Sequence, residues 1–225
     1  MESYRTEEEQ VEALKRWWDE NGRSTVAVVV LALGASFGWR FWQDYNQQQA
    51  EIASARYDEM VATVQSVESE EDAAALRASA EALKADFPDS TYAQFAALHL
   101  ARLDVVGGEL GEAELELRWV LMQNPPVEIR QLAELRLARV IAAQGDTEGA
   151  LAIVSAAEAG SYAPAYAEAE GDFQADLGNR DAAIAAYERA LAESAASRSG
   201  ASQALRLKLN ALSPVPPREF TAEEE

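Results

Sequence analysis

The stretch "DLGNRDAAIAAYERA" occupies residues 176–190 and repeats the form of "AQGDTEGALAIVSAA" at residues 143–157. Gly145 aligns with Gly178, Ala150 with Ala183 and Ala157 with Ala190, each pair 33 residues apart. The same register fits "VGGELGEAELELRWVLMQNP", with Gly108, Ala113 and Leu117 in the matching places, Pro125 at its end, and an offset of 37 from Gly108 to Gly145. The extra residues fall in the loop "NPPVEI". In each copy a glycine closes one helix, a small alanine lets the next helix approach it, and a proline or loop ends the pair. A period of this length marks a stack of helix pairs in which each pair buries its apolar face on its neighbours.

This pattern resembles the tetratricopeptide repeat, most clearly around Gly171, Gly178, Ala183, Tyr187 and Ala190. A weaker unit ends at "KADFPDS", with Pro88 again 37 residues before Pro125, and its first helix is expected to start near Gln49 and to include Tyr57, Met60, Val61 and Val64. The segment "GASQALRLKLNAL" is expected to cap the stack, and "SPVPPREFTAEEE", residues 213–225, to form a flexible acidic tail. The fold class is therefore all-α: a single N-terminal transmembrane helix followed by a tetratricopeptide-like solenoid. The resemblance implies that the first helix of each pair lines a concave surface. The residues placed there are Phe95, Leu98, Arg102, Val105 and Val106, then Leu132, Leu135 and Arg139, and in the third copy Glu168, Asp172 and Asp176. Such a surface is a candidate polypeptide groove. Neighbouring helices can equally fill it.

Upstream lies "QVEALKRWWDENGRSTVAVVVLALGASFGWRFWQDY" at residues 10–45. From Ser24 to Trp39 it carries no charge, and those 16 residues reach only about 24 Å as a helix, short of a hydrocarbon core of about 30 Å. The flanks extend the span. Trp17 and Trp18 stand before it and Trp39 and Trp42 after it, so that Trp18 and Trp39 are about 32 Å apart along a helix, the separation of two interfacial aromatic belts. A cleaved signal peptide is disfavoured, because bulky aromatics and Arg40 occupy the place of a small-x-small cleavage site.

Basic residues set the orientation. Lys15, Arg16 and Arg23 crowd the N-terminal side, against Arg40 and Arg56 on the other. The sequence thus predicts a cytoplasmic head over 1–23, a transmembrane anchor over 24–42 and a repeat domain outside the cytoplasm over 43–212. The head is expected to be helical and to end at Gly22, and Gly34 and Gly38 form a G-x-x-x-G pattern suited to close helix packing in the membrane.

Composition narrows the chemistry. Among 225 residues, 39 are acidic and 19 basic, and 48% are apolar, so the charge of −20 belongs on the solvated faces of a folded chain. A surface so poor in cations does not suit nucleic acid. No cysteine is present, which removes disulfides, thiolate metal sites and a cysteine nucleophile. His99 is the only histidine and reads as a packing residue within a helix. The sequence contains no phosphate-binding glycine loop, no nucleophile elbow and no H-E-x-x-H. The carboxylates of Glu70 and Glu71 fit a helix start better than acid-base chemistry. No catalytic residue, cofactor or metal is expected.

Taken in order, a head of the form "QVEALKRWWDENG", one span, "GWRFWQDY" and degenerate repeats resemble the YfgM family of ancillary SecYEG translocon subunits in Gram-negative bacteria. That resemblance implies an inner-membrane, single-pass, non-enzymatic protein with its repeats in the periplasm. It also implies association with the translocon and with the membrane-anchored chaperone PpiD, exported polypeptide clients, and a cytoplasmic stress-response regulator at the head. A structural scaffold for another envelope assembly, in cell-wall synthesis or outer-membrane biogenesis, is the alternative.

Overall fold

A computed structural model describes residues 7–64, 69–196 and 203–212; the tail at 213–225 lies outside them. The described residues form α-helices and one short 3-10 turn, with no strand. Helix α1 spans Glu7–Val64, followed by α2 (Glu70–Asp86), α3 (Thr91–Gly107), α4 (Leu110–Met122), α5 (Val127–Ala143), α6 (Thr147–Ala156), α7 (Ala163–Asp176), α8 (Arg180–Ala196) and α9 (Gln203–Leu212). The chain divides into two compact units, residues 1–52 and 53–225.

In the first unit α1 is long and apolar enough to cross a membrane, and an 18-residue window of it reaches a mean hydropathy of 1.5 with no part buried. Two sequence expectations are corrected here. Gly22 does not end a head helix, and no separate helix begins near Gln49, because α1 runs through both places. A mid-helix glycine costs only about 1 kcal/mol. The Trp18 ring lies 3.2 Å from where a Gly22 Cβ would stand, so the glycine leaves room for that ring while the helix continues past it. Between Trp39 and Val64 the chain has no glycine or proline to break the helix.

The second unit is the repeat stack. Helix α2 starts at a capping box in which the Ser69 hydroxyl accepts from the Asp72 amide while the Asp72 carboxylate accepts from the Ser69 amide. Glu70 and Glu71 fill its first turn, as expected of a solvated helix start. The three aligned glycines all take left-handed backbone at the turn inside each pair: Gly108 at φ 81°, Gly145 at 97° and Gly178 at 77°. Ala113, Ala150 and Ala183, the aligned small residues of α4, α6 and α8, have no solvent exposure at all. Turn and contact thus recur together in α3–α4, α5–α6 and α7–α8.

Three apolar clusters run through the stack. Ala53 and Met60 join Leu76, Leu83 and Leu100 in the first, so the end of α1 serves as the opening helix of the weakest repeat. The largest links Leu117, Leu137, Ile141, Tyr166 and Phe173 from α4, α5 and α7. In the last, Leu205 of α9 covers Ala183, Tyr187 and Ala190, which is the capping role expected of that helix.

Candidate functional site: an arginine-lined groove and the membrane helix

Repeat geometry sorts the predicted groove residues into two kinds. Leu98 and Leu135 occupy equivalent places in α3 and α5, and at 4% and 3% exposure they belong to the central apolar cluster, not to an open surface. At that register the face turns inward and is covered by neighbouring helices, the filled one of the two readings that the sequence leaves open. Phe95 and Leu132 are half-buried against the same cluster, and the Phe95 ring also lies 5.9 Å from that of Tyr57. Arg102, Val105, Val106 and Arg139 are exposed.

Those four line one pocket of about 300 Å³ between α3, α4 and α5, with Leu110, Leu117 and Val140 in its walls. Arg136 completes the lining. Sequence reading missed Arg136, although its place one helical turn before Arg139 is the signal that finds it. Burial, and then the charges of Arg102 and Arg139, disfavour the Arg136 cation. A smaller cavity of about 190 Å³ shares Arg102 and Val106 and reaches Leu76 and His99. His99 is half-buried there, with its Nε2 3.2 Å from the Tyr57 hydroxyl. Burial first, then Arg102 and Arg136, hold its pKa below the ordinary value, which keeps the ring neutral as a packing residue.

The third copy is occupied by the chain itself. Lys208 of α9 donates to Glu168 at 2.9 Å and to Asp172 at 2.8 Å, and the Tyr187 hydroxyl donates to Asp172 at 2.8 Å. Burial and the neighbouring Asp172 raise the Tyr187 pKa, so this phenol stays a donor. Asp176 remains exposed. The groove is therefore filled at its C-terminal end and open between α3 and α5.

On the membrane helix, a Cβ at Gly34 or Gly38 would meet nothing within 4 Å, so this small-residue face is unoccupied among the described residues. Trp17, Trp18, Trp39 and Trp42 are all exposed. They form two ring pairs, with centroids 6.4 Å and 5.2 Å apart.

An apolar N-terminal helix followed by a capped stack of helix pairs defines a tetratricopeptide-like repeat protein with a candidate membrane span. A family profile described as a tetratricopeptide repeat-like domain matches residues 15–214. Curated relatives cover nearly the same length. The ancillary SecYEG translocon subunit of Haemophilus influenzae is 31% identical, over 82% of this chain and 88% of the relative. That of Escherichia coli K12 is 30% identical, over 95% of this chain and the whole relative. That of Neisseria gonorrhoeae is 26% identical, over 94% of this chain and the whole relative. The chain belongs to the family of ancillary SecYEG translocon subunits.

Proposed function

We propose that this protein is a non-enzymatic interaction subunit that works beside the SecYEG translocon in the bacterial inner membrane. The observation that carries the reading is its near-full-length relationship to ancillary translocon subunits, which takes in both the apolar helix and the repeats. In this reading the span over 24–42 holds the repeat domain at a high effective concentration near the translocon exit. The head over 1–23 faces the cytoplasm, and the repeats over 43–212 face the periplasm, following the surplus of Lys15, Arg16 and Arg23 on the N-terminal side. Gly34 and Gly38 form the helix-packing face toward the translocon. The open part of the groove takes exported polypeptide clients, the chaperone PpiD is a further partner, and a cytoplasmic stress-response regulator is a partner of the head.

Two sets of substitutions separate these tasks. Replacing Gly34 and Gly38 with leucine fills a face where a Cβ meets no neighbour, so helicity is expected to persist while membrane partners are lost. Replacing Arg102 with Glu and Val106 with Ser alters groove residues outside the core and is expected to reduce client capture alone. Pull-downs from detergent-solubilised membranes, read separately for translocon subunits and for exported clients, make the test. Retention of every membrane partner by the glycine variant, or of every client by the groove variant, contradicts the corresponding half.

A further inference from the structure

Arg102 of α3 and Arg136 and Arg139 of α5 converge on the same apolar pocket. The chain has twice as many acidic as basic side chains, and several cations of the repeat helices reach a carboxylate. Arg77, Lys84, Arg118 and Arg189 each do so. The three pocket arginines make no ion pair among the described residues. Their like charges, gathered at one apolar pocket with Arg136 half-buried, are an arrangement that an anion relieves. At the other end of the groove Glu168 and Asp172 of α7 share the single cation of Lys208, so the groove is basic at its open end and acidic at α7.

The walls impose a second condition. A bare anion gains nothing from them, whereas a space of about 300 Å³ takes one or two apolar side chains. We propose that this pocket binds an acidic segment of another polypeptide, with glutamate or aspartate side chains held by Arg102, Arg136 and Arg139 and a neighbouring apolar side chain seated among Val105, Leu110 and Val140. Guanidinium forks suit carboxylates, and the apolar seat excludes segments that are acidic only. The proposal rests on the reading of the repeats as a polypeptide-binding surface and adds the charge of the client.

The test uses the full chain in detergent and fluorescence anisotropy with two short peptides, one with phenylalanines set among glutamates and one with lysines in place of the glutamates. The glutamate peptide is expected to bind and the lysine peptide not to. In the Arg102→Glu, Arg139→Glu variant the glutamate peptide should weaken by about tenfold or more and the lysine peptide should gain affinity. Both arginines are exposed, and an Arg102→Gln, Arg139→Gln variant, which should lose the glutamate peptide without gaining the other, guards against misfolding. Equal binding of both peptides overturns the acidic preference and leaves the polypeptide groove standing. Binding of neither peptide overturns both. Displacement of the glutamate peptide by anionic lipid at lower concentration than by excess unlabelled peptide, or binding seen only after residues 213–225 are removed, also overturns the assignment, in favour of a headgroup or of the chain's own tail.

Discussion

Gly171 of α7 gives its place to the ring of Tyr187 on α8: a Cβ at Gly171 would meet two carbons of that ring closer than side chains approach one another. The aligned positions in α3 and α5 hold Ala101 and Ala138, both buried, so all three copies keep a small residue where the paired helices touch. The third copy alone has a bulky aromatic opposite, and there the small residue has become glycine.

Gly171→Ala should therefore destabilise the protein although alanine favours helices. Overpacking of a tight contact costs about 1–3 kcal/mol, against up to about 1 kcal/mol gained in helix propensity. A fall in melting temperature that a second change, Tyr187→Leu, partly reverses is the expected result. Stabilisation by Gly171→Ala alone would contradict the contact.

The carboxylate of Asp104 is wholly buried in α3, where one oxygen accepts from Arg77 of α2 and the other has no hydrogen-bond partner among the described residues. Arg77→Met should cost about 2 kcal/mol or more, because it strands a charge where water does not reach. Arg77→Met together with Asp104→Leu should recover most of that loss. Chemical denaturation reads both, and equal stability of Arg77→Met and wild type would show that the pair contributes nothing.

His99 predicts a pH dependence whose sign follows from its environment. Its folded pKa lies below the unfolded value of about 6.5, so as pH falls the unfolded chain takes the proton first. The stability this group contributes is present above about pH 6.5 and is lost as pH drops through the folded pKa. The difference in melting temperature between wild type and His99→Gln should narrow or reverse in favour of the variant between about pH 7.5 and about pH 5.5. Parallel curves would remove His99 as the cause.

The repeats were legible because their signals are local. Gly108, Gly145 and Gly178 mark turns that need left-handed backbone, and Ala113, Ala150 and Ala183 mark contacts with no room for more, so spacing alone recovers both. The groove was half legible. Periodicity places Leu98 and Arg102 on one face, yet which of them reaches solvent depends on the next repeat, and that is a tertiary fact. Lys208 neutralising Glu168 and Asp172 spans 36 residues or more, a distance at which sequence pattern carries no pairing information. The length of α1 was missed because a single glycine reads as a stop signal, whereas one isolated glycine costs a helix only about 1 kcal/mol and does not end it here.

Topology can be read directly, since the chain has no cysteine and one introduced thiol is the only one present. A cysteine at Asp89 should react with an impermeant reagent in intact spheroplasts, and one at Glu9 should react only after lysis. The reverse pattern would invert the orientation and place the repeats in the cytoplasm.

The proposed contact between α1 and the translocon can be probed at its glycine face. A photo-crosslinking residue in place of Phe37, which stands exposed between Gly34 and Gly38, tests it in native membranes. The expected result is a light-dependent adduct with a SecYEG subunit that Gly34→Leu, Gly38→Leu abolishes. Adducts only to unrelated membrane proteins, or a SecYEG adduct indifferent to the two glycines, would contradict it.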